Sequence, residues 1–203
     1  MSIPFQDSET AKNLLRAFAG ESQARNRYDF AANLCQKQEL QAMAFIFQAT
    51  AKQEQAHAKV FWDHLQALNG QNLPIYGAYP IEGTNRVLEL LRAAQHNEHE
   101  EHGSVYPSFA AIATQEGFPE DPASFRQIAA IEQLHGERFG LLADQLESGA
   151  LFVSQIETGW MCLNCGHTQN SLEAPKQCPV CNHGQGWFIG LELAPWSPVA
   201  KQT

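Results

Sequence analysis

Two stretches of this 203-residue chain place a histidine three residues behind a glutamate, Glu54-x-x-His57 and Glu132-x-x-His135. Each pair is preceded, 33 or 34 residues upstream, by another glutamate, Glu21 or Glu98. Three residues is just under one helical turn, so on a helix both members of a pair project from one face. Carboxylates and imidazoles converging from four helices are how a bundle holds two metal ions. Oxygen donors with a few imidazoles suit iron or manganese, and carboxylates can bridge two cations. A glutamate on an apolar stripe is costly unless its charge is compensated, yet Glu21, Glu54, Glu98, Glu101 and Glu132 all fall on such stripes. A solvated face accounts for one or two of them, not for a donor at the same height on every helix.

One residue breaks the repeat. Matching Glu98 to Glu21 sets Glu101 against Ala24, a carboxylate where the first half has a methyl group, so the two metal positions are expected to be inequivalent. Other polar residues carry less. His64 lies two turns beyond the pair on its helix and reads as core or surface packing. His96, His99 and His102 flank the third-helix glutamates off the stripe, as exposed or supporting groups, and Glu100 reads as solvated. Tyr28 and Tyr106 are either hydrogen-bond donors to the carboxylates or ordinary core tyrosines, and Cys35 reads as a small buried hydrophobe.

The remaining cysteines form a second constellation, Cys162-Leu-Asn-Cys165 and Cys178-Pro-Val-Cys181, with twelve residues between the pairs. Two CxxC turns supply four thiolates in tetrahedral geometry, fit for zinc or a single iron. Gly166 and Asn182 follow the two pairs, and both tolerate the left-handed backbone on which such a turn closes. Spacing alone leaves a redox-inert zinc ribbon open. A redox-capable bundle beside it favours iron, which carries one electron at a time.

These groups need elements to hold them. Phe125, Ile128, Glu132, His135, Phe139, Leu142 and Leu146 step by three and four along one helix face, opened by Asp121 as a cap and Pro122 in the first turn. Met43, Phe47, Thr50, Glu54, His57, Phe61 and Leu68 mark a second face. Leu14, Phe18, Glu21 and Tyr28 mark a third, and Leu91, Ala94, Glu98, Glu101, Val105 and Ile112 a fourth. Breaks are expected near 36–38, 69–84 and 117–122, and Pro107 should bend or split the third helix. Residues 1–148 thus read as four helices with a long second connection. From 149 to 203, short β-prone pieces such as Leu151–Val153 and Trp187–Ile189 flank the cysteines, in a module too small to fold without a staple. The segment from Pro195 onward suggests nothing specific.

Composition narrows the function. With 44% hydrophobic residues the chain can build a core, and a net charge of −9 argues against nucleic acid. No signal peptide is visible in MSIPFQDSET and no apolar run approaches the ~20 residues that span a bilayer. A cytoplasmic location is expected, where CxxC pairs read as metal ligands before disulfides.

The chain resembles the rubrerythrins along nearly its whole length. The residues that carry the likeness are Ala19-Gly20-Glu21-Ser22-Gln23-Ala24-Arg25-Asn26-Arg27-Tyr28, Glu54-x-x-His57, and Glu98-x-x-Glu101 leading to Tyr106-Pro107-x-Phe109-Ala110. Glu132-x-x-His135-Gly-Glu-Arg138, Trp160-x-Cys162-x-x-Cys165-Gly166 and Cys178-Pro179-x-Cys181 follow in order. The resemblance implies an all-α, four-helix ferritin-like bundle with a di-iron centre, followed by a small rubredoxin-like β/loop module holding iron in Fe(Cys)4. It implies the ligands Glu21, Glu54, Glu98, Glu101, Glu132 and His135, with His57 trading places with Glu101 as the redox state changes. It further implies peroxidase activity on hydrogen peroxide, fed by rubredoxin or a reductase, in a head-to-tail homodimer. Asn97, where many relatives have glycine, and Asn182-His183 depart from the pattern without touching a ligand, and the tail after residue 190 is peculiar to this chain. Two rivals stand beside this reading: a ferritin-like ferroxidase or iron-storage protein, and a non-enzymatic redox sensor carrying a zinc ribbon.

Overall fold

A computed structural model describes residues 3–119 and 121–195. The end of the tail set apart above, 196–203, and the first two residues of the chain lie outside the described residues. Five α-helices come first: α1 (Glu9–Lys37), α2 (Gln41–His64), α3 (Val87–Glu100), α4 (Tyr106–Glu116) and α5 (Asp121–Glu147). Helix α1 begins where the Ser8 hydroxyl accepts from the Ala11 amide at 3.0 Å. Glu116, at the far end of α4, accepts from the amides of Glu9 and Thr10 at 2.9 and 2.8 Å. Free first-turn amides are thereby capped by a carboxylate, which also favours the positive end of the helix dipole. Helices α1 and α2 form one antiparallel hairpin and α3–α5 the other, and no described helix is long and apolar enough to cross a membrane.

The third bundle helix is split. Between α3 and α4, residues Glu101–Val105 form a π turn, just ahead of Pro107, whose missing N–H and ring disfavour an unbroken α-helix. A π turn inserts one extra residue, so the face that meets the core slips by one. The expected stripe continued through Val105 and Ile112. Instead the buried positions are Leu91, Ala94 and Glu98 before the turn, and Tyr106, Ala110 and Ala113 after it, while Val105 and Ile112 are only half-buried.

Two apolar clusters fill the bundle, one above and one below the polar layer. Phe61, Tyr106 and Phe125 centre one; Tyr28, Phe47 and Phe139 centre the other, with rings 4.9–5.9 Å apart. Each fully buried ring contributes about 1.5–3 kcal/mol by removal from water, which anchors the helices on both sides of the donors.

After α5 the chain forms a three-stranded antiparallel sheet, ordered β2 (Thr168–Glu173), β1 (Val153–Cys162), β3 (Phe188–Gly190). Strand β1 is longer than the apolar pattern suggested, because its first half is largely exposed and its apolar residues Val153 and Ile156 do not alternate. The module's own core is small: Trp160, Cys162, Ala174, Cys178 and Phe188. Its other face joins the bundle, where Met161 and Ile189 pack into the cluster of Met43, Phe47 and Leu142. At the seat a Cβ on Gly186 would lie 1.7 Å from the carbonyl oxygen of Glu39, so only glycine lets the module approach the α1–α2 turn this closely.

Candidate metal centres

The four bundle strands of helix bring six of the expected residues together. One group holds Glu21, Glu54, His57 and Glu132, and the other Glu54, Glu98, Glu132 and His135, with the donor atoms in each within 4.8 Å of one another. Glu54 and Glu132 belong to both groups, so their carboxylates stand between two positions. Glu21 with His57, and Glu98 with His135, close the two ends. Glu21, Glu54, Glu98, Glu132 and His135 are at most 2% exposed.

The donor atoms face a common space rather than one another. His57 Nδ1 is 2.9 Å from Glu132 Oε1, and His135 Nδ1 is 2.7 Å from Glu132 Oε2. Even so, both Glu132 oxygens, Glu54 Oε1, Glu21 Oε2 and His135 Nδ1 have no aligned hydrogen bond. Ion pairing with the two histidines offsets part of the cost of burying these carboxylates, but their lone pairs remain without an aligned donor. Lone pairs that converge without pairing fit cations placed between them.

The opposite edges of the donors are tied down. Tyr28 donates to Glu98 Oε1 and Tyr106 to Glu21 Oε1, so the tyrosines left open by the sequence are hydrogen-bond donors. His135 Nε2 lies 2.9 Å from Gln53 Oε1. A proton on Nε2, donated to that amide oxygen, leaves Nδ1 as a metal-facing lone pair. Gln53 was not foreseen, since it lies beside Glu54 in sequence but off the stripe and serves a histidine 82 residues away.

The electrostatics ask for positive charge. Burial and the neighbouring carboxylates push Glu21 and Glu98 well above the ordinary range. Burial opposes ionisation of Glu54 too, but His135 and His57 hold it at about 2. Burial alone would lower the histidines, yet carboxylates led by Glu132 raise His57 to about 12 and His135 to about 9. Metal cations would displace those protons.

Glu101 is the expected ligand that stays apart. It belongs to neither donor group and lies in the π turn, half-buried, beside a cavity lined by Gly20, Arg27, Tyr79 and Tyr106. Burial, then the charges of Glu132 and Glu54, raise it to about 8. His57 occupies the place beside Glu21 instead.

The four cysteines converge at the module's tip. Cys162 and Cys181 Sγ are 3.7 Å apart, as are Cys165 and Cys178 Sγ. A disulfide would be about 2.05 Å, whereas four sulfurs each about 2.3 Å from one metal are about 3.8 Å apart. The two turns match: Gly166 and Asn182 have φ of 76° and 61°, and their amides return to the carbonyls of Cys162 and Cys178. A backbone amide at His183 leads the stabilisation that lowers Cys181 to about 5, while burial raises Cys162 to about 12. Cys165 is exposed, so one thiol is open to solvent.

The remaining polar residues are supporting. His64 joins α2 to α5, with Nδ1 2.6 Å from Asp121 Oδ1 and Nε2 2.8 Å from Ser124 Oγ. His96 and Glu100 are exposed, His102 Nδ1 reaches the Ala129 carbonyl at 2.8 Å, and Cys35 is a buried free thiol.

Sequence and structure comparisons agree with this layout. The family model described as Rubrerythrin matches residues 12–143, and Rubrerythrin, rubredoxin-like domain, matches 160–189. A rubrerythrin of Porphyromonas gingivalis is 43% identical over 188 residues, 93% of this chain and 92% of that protein. One from Clostridium perfringens is 42% identical over 182 residues, 89% of this chain and 93% of that protein. Among solved structures, fully reduced nigerythrin matches with a TM-score of 0.61 at 24% identity, covering 94% of this chain and 88% of that one. A bacterioferritin of Desulfovibrio desulfuricans gives 0.63 at 18% identity, over 70% and 82%. At such identities these two speak for the ferritin-like fold alone. The chain carries the residues of a di-iron carboxylate site and of a four-cysteine, rubredoxin-like site. With both models matched in chain order and relatives above 40% identity covering most of its length, the chain belongs to the rubrerythrin family, a family of oxidoreductases.

Proposed function

We propose that the chain is a cytoplasmic non-haem di-iron peroxidase that reduces hydrogen peroxide to water, with electrons relayed through the Fe(Cys)4 site. One observation carries the reading: a single chain holds a buried pair of donor groups sharing Glu54 and Glu132, and a half-exposed knot of four thiols. An iron pair there supplies two electrons and Lewis acidity toward both oxygens of the substrate. The protein's part is positional. Glu54 and Glu132, shared by both donor groups, would hold both metals, Glu21 and Glu98 would bind at the ends under the grip of Tyr106 and Tyr28, and Gln53 aims His135. His57 and Glu101 would serve as alternative ligands to one metal, and the π turn that carries Glu101 is where the backbone could absorb such a change.

The relay needs a route. Gln41, at the module's seat, and Glu54 are 13 positions apart on α2, about 20 Å at 1.5 Å per residue. Likeness to the rubrerythrins supports a head-to-tail homodimer in which each module serves the other bundle. Rubredoxin or a reductase would refill the module through the exposed Cys165 edge.

Anaerobically reduced protein mixed with hydrogen peroxide should oxidise stoichiometrically and turn over with a rubredoxin-type donor. Iron accumulating far beyond three per chain, without turnover, would instead indicate a ferroxidase or storage protein. A red oxidised protein indicates an iron tetrathiolate; a colourless module would point to a zinc ribbon and the sensor reading.

A further inference from the structure

The donors are buried, so a substrate needs a way in. The 69–86 connection between α2 and α3 has no regular secondary structure among residues 71–84, and it crosses the outside of α1 and α3 as a strap. Side-chain contacts with α1 and α3 hold it: Gln38, just past α1, donates from Nε2 to the Asn85 carbonyl at 2.9 Å at the strap's end, and four more lie over the cavity. Arg16 Nε donates to the Tyr76 carbonyl at 2.8 Å, Tyr79 Oη to the Arg16 carbonyl at 2.9 Å, Arg27 pairs with Glu82 at 3.0 Å, and Asn97 Nδ2 donates to Glu82 at 2.8 Å.

Beneath the strap lies a cavity of about 230 Å³. Its roof is Gly77–Pro80; its floor includes Gly20, Tyr106 and Glu101. Gly20 directly precedes Glu21, and Tyr106 is hydrogen-bonded to it, so the floor adjoins one end of the donor set. The Tyr79 ring closes over Gly20, 3.5 Å from where a Cβ there would be. Arg16, Gln23, Arg27 and Asn97 line the walls and offer hydrogen bonds to a small polar guest.

We propose that this cavity is the entry chamber to the di-metal site and that Tyr79 sets the size of molecule it admits. The inference rests on the peroxidase reading for the identity of the guest, but not for the route. A cavity of about 150 Å³ accommodates one benzene ring. The chamber is larger than that, so its volume admits hydrogen peroxide and a single aryl ring alike; what obstructs a bulky hydroperoxide such as cumene hydroperoxide is the Tyr79 ring lying over Gly20, next to Glu21. Asn97 is a positioning residue that fixes the strap through its hydrogen bond to Glu82.

The test uses the full chain with Tyr79→Ala, Tyr79→Phe and Glu82→Gln. In the iron-loaded protein, the ratio of kcat/KM for cumene hydroperoxide to that for hydrogen peroxide should rise about tenfold in Tyr79→Ala, the scale of steric discrimination in a pocket. Tyr79→Phe keeps the ring and should keep the ratio. Uptake of Co²⁺ by the metal-stripped protein, followed by visible absorption, should accelerate severalfold in Tyr79→Ala, and in Glu82→Gln if the alanine variant does not fold. An unchanged ratio overturns the size filter, and unchanged uptake overturns the chamber. If no variant reduces any peroxide, the peroxidase reading falls, and the uptake rates still decide the chamber.

Discussion

The two metal sites of this chain are built on opposite principles. In the bundle, six donors arrive from four helices and as many as 114 positions apart, from Glu21 to His135; each is placed by apolar packing above and below. In the module, four donors come from two short turns, and Cys162 and Cys178 are themselves part of its five-residue buried core. The bundle can fold around a cluster of protonated histidines and carboxylic acids. The module has little else to fold around. Metal in the first is a guest of a finished structure; in the second it is a structural member.

The sharpest way to break this contrast is Cys178→Ser. Structural sites of this type contribute folding energy outright, so the variant should lose the module's metal and the NMR dispersion of residues 153–190, with helical circular dichroism retained. A sheet that survives would show the module to be self-sufficient. Next in size is Glu132→Ala, which removes a carboxylate from both donor groups. We expect bundle metal occupancy to fall by more than about 100-fold in affinity, beyond the loss usual for a supporting residue, with helicity unchanged; metal analysis after dialysis checks both. Gln53→Ala should weaken the same site by about 10–100-fold, since it only orients His135, and an isotherm like that of the unaltered protein would remove Gln53 from the site's support.

The smallest effect is a pH dependence of the metal-stripped bundle. His135, at about 9, lies above its ordinary 6.5, so its contribution is fully present below pH 6.5 and lost as pH rises through 9. Glu101, raised to about 8 from 4.5, acts in the same direction, its contribution present below 4.5 and lost through 8. Glu54, held at about 2, contributes above pH 4.5 and loses that contribution as pH falls through 2. The Tm of stripped protein should therefore decline by several degrees between pH 6.5 and 9, while the metal-loaded bundle changes less. A flat profile for the stripped protein would contradict the charge arrangement.

How far the sequence reaches depends on range. The helices, their breaks near 36–38 and 117–122, and the cysteine turns with Gly166 and Asn182 in left-handed conformation are legible because local periodicity and turn chemistry set them. The donors are legible because a carboxylate on an apolar stripe is conspicuous. Gln53 is not, because its partner lies on another helix and no stripe marks it. Pro107 announces a break but not its kind, so the stripe runs through Val105 and Ile112 when the core in fact meets Tyr106, Ala110 and Ala113. Strand β1 is foreseen only at its start, Val153, since Ser154, Gln155 and Glu157 give no apolar alternation beyond it.

The π turn also bears on how the chain can vary. Because it adds one residue and the helix resumes on its old axis, it behaves as a removable insert rather than a rebuilt segment. Shortening the chain by one position between Glu101 and Val105 would set Glu98 and Tyr106 seven positions apart, still on one helix face, with Pro107 left as a kink between α3 and α4. The bundle and its shared carboxylates are therefore separable from the excursion that carries Glu101, so a single codon divides the cage of Glu54 and Glu132 from the turn that sets a further carboxylate beside it.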